Sequence, residues 1–202
     1  KGLRLPPKVA PVQIVIIPII KNENDMAEIR EFLKPLIGSL KEKGVRLQLD
    51  DRLKVSPGFK FNEWEMKGVP IRVEAGPRDM ESGTVLCARR DTGEKESLKI
   101  TSSGEKLIQL LDEIQNNLYN QALEFREKNT FSADTYDEFK SHIAAGGFIR
   151  CGWDGNADSE TAVKSETKAT IRCILQDENV DDLLCIYSGN PAKYKVIFAR
   201  AY

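Results

Sequence analysis

Acidic, basic and aromatic side chains alternate in residues 58–79, Gly-Phe-Lys-Phe-Asn-Glu-Trp-Glu-Met-Lys-Gly-Val-Pro-Ile-Arg-Val-Glu-Ala-Gly-Pro-Arg-Asp. This combination suits recognition of an unstacked guanine base. The Watson–Crick edge of guanine carries N–H donors that pair with a carboxylate, its O6 and N7 atoms accept from Lys or Arg, and its face stacks on an aromatic ring. The candidate carboxylates are Glu63, Glu65 and Glu74, the cations are Lys60, Lys67, Arg72 and Arg78, and the ring is Trp64.

The same segment also has a purely structural interpretation. An amphipathic helical turn would place Trp64 in the core, and the strand after it would pair its outward charges in salt bridges. The pattern alone leaves both interpretations open.

The pattern of apolar residues around this segment predicts an α/β domain that would position these side chains. Residues 12–20 are nearly all apolar, which is typical of a strand buried on both faces. Helical spacing then continues to Gly44, and Pro35 inside it predicts a kink or two shorter helices. Residues 45–49 alternate as a second strand, so the order is β-α-β with parallel pairing and a right-handed crossover.

Further strands extend this sheet. A short helix ends at Gly68 and residues 69–75 form a third strand. Residues 84–88 and 97–100 flank the turn Asp-Thr-Gly-Glu, which favours a hairpin. A capping box of Ser102 and Glu105 begins a helix that reaches about Lys128. The sequence therefore predicts a mixed sheet of about five strands flanked by helices, in a domain of residues 1–129.

Residues 130–202 predict a small α+β domain. One helix ends at Gly146-Gly147 and a short second one occupies residues 159–167. Four apolar stretches are expected to be strands, at residues 148–153, 170–175, 184–187 and 194–199.

Composition limits the function classes. The 202 residues are 41% hydrophobic, enough for one large or two small domains, and the formal net charge is −1. A non-specific polyanion binder usually carries a basic surplus, so we expect no DNA binding, and any RNA contact must be local. Residues 52–90 hold eight Lys and Arg against five Asp and Glu. The local surplus of positive charge therefore coincides with the candidate base-binding segment.

Several site classes find no support in the sequence. It contains neither the dinucleotide-binding motif Gly-x-Gly-x-x-Gly nor a P-loop. It has one histidine, His142, and no nucleophile motif supports a catalytic role for it. Four separated cysteines and the lack of a signal peptide indicate a reduced, cytoplasmic setting. The longest apolar run is far shorter than the ~20 residues of a membrane span, so we expect no membrane insertion.

Motifs along nearly the whole chain resemble one family. They are Gly-Leu-Arg-Leu-Pro-Pro-Lys-Val-Ala-Pro at 2–11, Trp-Glu-Met-Lys-Gly-Val-Pro-Ile-Arg at 64–72, Gly-Gly-Phe-Ile-Arg-Cys-Gly-Trp-Asp-Gly at 146–155, and Asn-Pro-Ala-Lys-Tyr at 190–194. Together they resemble the C-terminal half of prolyl-tRNA synthetases of the archaeal and eukaryotic-like type, which also occurs in some bacteria. The resemblance implies an anticodon-binding domain followed by a zinc-binding-like domain.

The resemblance also implies a partner. Proline codons begin with CC, so the second and third anticodon positions of proline tRNA are guanines. The residues expected to recognise or support these bases are Lys60, Trp64, Glu65, Lys67, Arg72, Glu74 and Arg78. The ATP and proline pockets would lie in an upstream catalytic domain of a homodimeric parent, with which the start at Lys1 agrees. The fragment itself is expected to be non-catalytic and to need no cofactor. Tyr202 would either dock on that catalytic domain or be a simple exposed end.

Zinc is a separate expectation of the resemblance, because many members bind it through two cysteine pairs. Here only Cys151 and Cys185 remain, and Asn156 and Ser188 occupy the partner positions. Neither side chain is a good zinc ligand, so we expect a degenerate, metal-free site. A rescue by Cys173 with Asp154 or Asp158 stays open.

Two other function classes also stay open. One is a self-contained small α/β enzyme that uses His142, a cysteine or the Glu-rich segment. The other is a structural or dimerisation module built on the helix at residues 103–128, although about three heptads is short for a coiled coil.

Overall fold

The computed structural model describes residues 2–20, 23–176 and 178–200, so Tyr202 falls outside the described residues. Contacts divide the chain into two compact units, Lys1–Gln121 and Ala122–Tyr202. The domain boundary predicted after residue 129 stays a prediction. None of the helices in the described residues is long and apolar enough to cross a membrane.

The first unit contains a five-stranded mixed sheet. Its strands are β1 (Ile14–Pro18), β2 (Leu47–Leu49), β3 (Ile71–Ala75), β4 (Thr84–Arg89) and β5 (Lys95–Lys99). Their order is β2-β1-β3-β4-β5; β1 pairs in parallel with β2 and β3, and the other pairs are antiparallel. The predicted α/β class, the β-α-β start and the β4–β5 hairpin are confirmed.

Four helices accompany this sheet: α1 (Glu23–Glu42), α2 (Pro57–Met66), α3 (Pro77–Ser82) and α4 (Ile100–Lys128). Pro35 lies inside α1, which is one helix instead of the two considered. Burial of Ile29, Leu33 and Leu40, each 0% exposed, holds that helix on the sheet despite the missing hydrogen bond. The Ser102–Glu105 capping box is wrong, because Ser102 lies inside α4 and its hydroxyl donates to the Lys99 carbonyl.

Local sequence explains both ends of α2. Ser56 caps its start by accepting a hydrogen bond from the Phe59 backbone N–H at 3.3 Å, and Pro57 occupies the first turn. At the other end Gly68 has φ +76°, and a Cβ there would lie 2.7 Å from Cβ of Leu3. Glycine at this position therefore both ends the helix and admits the N-terminal segment beside it.

The two faces of the first sheet differ. One face packs against α1 and α4 and carries the main core, including Ile14, Ile16 and Val73. On the other face α2 covers only the β1 side, where Phe61 and Trp64 pack on Val15, Ile17 and Val69.

Cross-strand partners show which side chains continue that second face beyond β1. Val15 pairs with Arg72, Arg72 with Ala88, and Ala88 with Lys95. The next rows are Ile17, Glu74, Leu86 and Ser97, and then Thr84 with Lys99. Exposure rises toward β5, where Lys95, Ser97 and Lys99 are exposed. We call this surface the open face, formed by Arg72, Glu74, Thr84, Leu86, Ala88, Lys95, Ser97 and Lys99.

The second unit is a small α+β fold, as predicted. Its strands are β6 (Thr130–Ser132), β7 (Phe148–Trp153), β8 (Ala169–Leu175) and β9 (Tyr194–Arg200), in the order β6-β7-β9-β8, and its helices are α5 (Tyr136–Ala145) and α6 (Ala157–Thr167). The strand predicted at residues 184–187 is wrong: this segment makes only isolated bridges, Gly152 with Cys185 and Leu184 with Pro191. A Cβ at Gly152 would lie 2.3 Å from the Leu184 carbonyl oxygen, so the segment crosses β7 too closely for anything but glycine there.

Candidate nucleic-acid interface

A chain of ion pairs joins α2 to the middle of the open face. Arg72 donates from Nη1 to Glu65 at 2.7 Å and from Nε to Glu74 at 3.0 Å. Its guanidinium also lies 4.1 Å from the centre of the Phe61 ring. The Arg72 side chain is 11% exposed and that of Glu65 is 48% exposed, so this series of ion pairs runs from the protein interior to solvent.

The periodicity of the two elements explains this arrangement. Arg72 and Glu74 are two residues apart on β3, so both point to the same face of the sheet. Glu65 reaches them because α2 packs on the neighbouring strand β1 through Phe61 and Trp64. Three of the predicted site residues are therefore brought together.

A small cavity lies on one side of the Arg72–Glu74 pair. It encloses about 100 Å³, its floor is formed by Val15 and Ala88, and Glu65, Arg72 and Lys95 lie around it. Arg89 and Arg90 line it as well, so it combines an apolar floor with one carboxylate and four cations.

A second concavity lies on the other side of the pair, at the C-terminal ends of β1 and β3. It encloses about 250 Å³ between Glu74, Arg78, Asp79 and Leu86. One Asp79 oxygen accepts from the Gly76 backbone N–H at 2.8 Å and caps α3. The sequence analysis did not include Asp79, although an acidic residue at N3, three residues after the N-cap Gly76, is a recognisable signal.

Trp64 and Lys67 lie next to this site on α2. The Trp64 indole Nε1 donates to Asp50 Oδ2 at 2.8 Å, and the Lys67 ammonium lies 4.5 Å above the indole ring. Lys67 also donates to Glu63 at 2.7 Å. These contacts assign Trp64 a packing role at the edge of the first cavity.

Lys60 is placed in the interior. Its side chain is 2% exposed, and its Nζ donates to the Asp50 carbonyl oxygen at 3.0 Å and lies 3.8 Å from Asp50 Oδ1. Burial lowers the Lys60 pKa, and the negative charge of Asp50 opposes this shift. A direct contact between Lys60 and a base would require the ammonium to leave this enclosure, so the structure favours a supporting role.

Asp50 is a second residue that the sequence analysis did not include. It follows β2 directly, is 4% exposed, and accepts from Arg52 Nε and Nη2 at 2.8 and 2.7 Å as well as from Trp64. Arg52 continues to Glu63 at 2.7 Å. Asp50, Arg52, Glu63, Lys67 and Trp64 thus close a ring of contacts that fixes α2 on the sheet edge.

The charge of Asp50 is stabilised by these neighbours. Burial alone would raise its pKa, but the hydrogen bonds from Arg52 and Trp64 and the charge of Lys60 outweigh burial and bring the pKa from 3.8 to about 2. The ring therefore requires an ionised Asp50.

This shift predicts acid sensitivity. Because the folded-state pKa is depressed, the contribution of Asp50 to stability is fully present above about pH 4 and is lost as the pH falls toward about 2. Asp50→Asn is expected to flatten this part of the dependence of the unfolding free energy on pH. Urea unfolding at closely spaced pH values measures it, and equal slopes in both proteins would contradict the prediction.

The zinc-like position of the second unit holds a hydrogen-bonded cluster. Asp154 accepts from the Ser188 hydroxyl at 2.7 Å, from the Ser159 hydroxyl at 2.8 Å and from the Asn156 backbone N–H at 3.1 Å. The Asn156 side chain in turn caps α6 by accepting from the Asp158 N–H at 2.9 Å. Asn156 and Ser188 are therefore already used as protein hydrogen-bonding groups.

The remaining donors do not fit a zinc ion. Zinc requires thiolate, imidazole or carboxylate ligands in a tetrahedron, whereas an amide and a neutral hydroxyl occupy two of the positions. Within the described parts of the chain, no three His, Cys, Asp or Glu side chains are placed to hold a metal. Cys173 lies exposed on β8.

Comparisons with known proteins agree with this geometry. The family description "Anticodon binding domain" matches residues 13–110, and "Prolyl-tRNA synthetase, C-terminal" matches residues 136–202. The first unit is thus an anticodon-binding domain of the type found in aminoacyl-tRNA synthetases. The chain as a whole is the C-terminal part of a prolyl-tRNA synthetase.

Individual relatives give the same family. Over its whole length, this chain is 45% identical to a proline–tRNA ligase of Porphyromonas gingivalis and 47% identical to one of Cytophaga hutchinsonii. A crystal structure of prolyl-tRNA synthetase from Cryptosporidium parvum, complexed with L-proline and AMP, superposes with a TM-score of 0.85 at 35% identity, covering 100% of this chain and 43% of that one. The chain spans 41% of the length of the two bacterial relatives.

Proposed function

We propose that this chain recognises the anticodon of proline tRNA as the non-catalytic part of a prolyl-tRNA synthetase of the archaeal and eukaryotic-like type. The observation that carries the proposal is the Glu65–Arg72–Glu74 chain, which lies between two cavities on an uncovered sheet face. The assignment of type is supported by the similarity of this whole chain to part of the Cryptosporidium parvum structure, together with the C-terminal family match.

Each cavity offers complementary groups for one guanine. In the first, Glu65 accepts from N1–H and N2–H while Arg72 donates toward O6 or N7, and the apolar floor meets the base face. In the second, Glu74 or Asp79 supplies the carboxylate and Arg78 the cation, beside the apolar Leu86. Two adjacent anticodon guanines therefore have one cavity each.

The Arg72–Glu74 pair gives this arrangement its selectivity. The pair is largely removed from solvent, so a base that cannot replace its hydrogen bonds leaves buried charge unpaired. A wrong base at such a site typically costs about 1–3 kcal/mol. Lys60, Trp64 and Lys67 act by holding α2, and with it Glu65, in position.

The rest of the parent protein supplies the chemistry. In this proposal an upstream catalytic domain of the same chain binds ATP and proline, the parent is a homodimer in the cytoplasm, and the 202 residues bind tRNA without a cofactor. The share of the relatives that the chain does not span, more than half of their length, leaves room for such a domain.

Binding to two tRNAs tests the function. The chain is titrated with proline tRNA and with a variant whose second anticodon guanine is replaced by adenine, at one stated salt concentration. The expected result is weaker binding of the variant by about 1–3 kcal/mol, or roughly 5- to 150-fold. Equal affinities would contradict anticodon recognition.

For the second unit we propose that the Asp154 cluster replaces a structural zinc. The cluster ties three segments together, because Asp154 follows β7, Ser159 lies in α6 and Ser188 belongs to the loop that crosses Gly152. Asp154 is 8% and Ser159 5% exposed, so the hydrogen bond between them is shielded from water, whereas Ser188 is exposed.

Two measurements test this replacement. Asp154→Ala is expected to lower the unfolding free energy of the second unit by about 1–3 kcal/mol, because it leaves the buried Ser159 hydroxyl without its acceptor and removes the hydrogen bond from Ser188. Treatment of the unmodified chain with a zinc chelator is expected to leave its melting curve unchanged. Stoichiometric zinc in the purified chain, or a melting temperature that falls with chelator, would contradict the proposal.

A further inference from the structure

The outer strand of the open face carries two lysines to which the proposed base contacts give no role, although Lys95 also lies at the rim of the first cavity. Lys95 and Lys99 lie on β5 opposite Ala88 and Thr84, while Leu98 between them points to the core and is 8% exposed. Both lysines are exposed and extend from the same side of the sheet as Arg72 and Glu74. They therefore border the surface on which an anticodon loop would lie.

These lysines differ from the cations nearer the site. Arg52, Lys67 and Arg72 each lie within 2.7 Å of a carboxylate oxygen. In the part of the chain that the structure describes, neither Lys95 nor Lys99 forms a salt bridge or a side-chain hydrogen bond. Their charge is thus not neutralised within the protein.

The chemistry of these groups suits phosphate. A lysine ammonium is a compact, rotatable point charge that attracts phosphate without the fixed fork needed to recognise a base edge. At about 3.4 Å per residue, four residues along a strand separate the two lysines by about 14 Å. This spacing is too wide for one phosphate, so each lysine meets a different phosphate.

We propose that Lys95 and Lys99 bind the RNA backbone as it crosses β5, while the Glu65–Arg72–Glu74 chain recognises the bases. This inference rests on the proposed function, because it takes the bound partner to be the anticodon loop. It divides the open face into a sequence-reading part and a part that adds affinity independently of sequence. The ligand chemistry at β5 is that of single-stranded RNA phosphates.

Salt dependence separates the two parts. The variant Lys95→Ala/Lys99→Ala is titrated with proline tRNA and with its second-position anticodon variant between 50 and 300 mM salt, about the range in which counterion release dominates. Each lost phosphate contact in a single strand lowers the slope of log K against log salt by about 0.7, so the double variant loses about 1.4. Counterion release alone then gives about 25-fold weaker binding at 0.1 M salt.

The matched control is Lys41→Ala/Lys43→Ala, which removes the same charge from the end of α1, on the covered side of the sheet. It is expected to change the slope by much less. A third protein, Lys95→Arg/Lys99→Arg, keeps the charge and is expected to keep the slope.

The outcomes are distinct. An equal loss for both tRNAs, together with the smaller slope, supports the inference. A loss of affinity confined to proline tRNA would mean that the lysines contact bases, which would overturn the inference. A salt slope of the Lys95→Ala/Lys99→Ala variant equal to that of the Lys41→Ala/Lys43→Ala control would also overturn it. If the unmodified chain binds both tRNAs equally, the proposed anticodon recognition fails, whatever the slopes show.

Discussion

Replacing Arg72 by lysine is expected to weaken binding of proline tRNA by about 5- to 150-fold, the equivalent of about 1–3 kcal/mol for one bidentate base contact. The arginine uses two separate nitrogens for Glu65 and Glu74 and still faces the first cavity. A lysine keeps the positive charge but cannot hold both carboxylates and a base in one plane. Titration with fluorescently labelled tRNA measures the change.

A matched arginine provides the control. Arg30 on α1 also pairs with a carboxylate, that of Asp51, but α1 packs on the covered face of the sheet. Arg30→Lys is therefore expected to leave tRNA affinity unchanged. Similar affinities for Arg72→Lys and the unmodified chain, with both proteins folded, would remove Arg72 from the site.

Removing the carboxylate of Asp50 is expected to have the largest effect on stability. Asp50→Ala removes the negative charge beside the buried Lys60 ammonium and the acceptor of the Trp64 N–H, and it keeps only the backbone carbonyl to which Lys60 donates. Removing one partner of a buried ion pair typically costs about 3–5 kcal/mol of unfolding free energy, because the remaining charge stays desolvated. Urea unfolding followed by tryptophan fluorescence measures this cost, in a Trp153→Phe background that leaves Trp64 as the one tryptophan.

The neighbouring residue is the natural comparison. Asp51 forms an ion pair with Arg30 that is open to solvent on both sides, so Asp51→Ala is expected to cost about 0–1 kcal/mol. Comparable losses for Asp50→Ala and Asp51→Ala would show that the Asp50 ring does not hold α2 in place.

Periodicity predicted much of this fold because its signals are local. The apolar β1 and the alternating β3 and β4 were visible in the sequence, and so was the Asp-Thr-Gly-Glu hairpin. The short helix α3 was missed, since its six residues are too few for a hydrophobic repeat. The wrong strand at residues 184–187 has a tertiary cause, the close crossing over Gly152.

The candidate site was predictable in residue types but not in pairing. The spacing of Arg72 and Glu74 already places them on one face, whereas the contact of Glu65 depends on how α2 packs. The sequence offered Lys60 as a cation for base contact. In the folded chain its ammonium is buried and contacts Asp50. The contact between Asp50 and Trp64 cannot be predicted from the residue spacing of either segment. Asp50 could therefore be identified as the shared acceptor only in the folded chain.

A double-mutant cycle between Arg72 and the anticodon tests the central claim most directly. Four affinities are measured at one salt concentration: the unmodified chain and Arg72→Lys, each with proline tRNA and with tRNA carrying adenine for one anticodon guanine. If Arg72 reads that guanine, the base change costs the unmodified chain about 1–3 kcal/mol and costs the variant much less. An equal cost in both proteins, at each of the two guanines, would contradict recognition of the anticodon by this face.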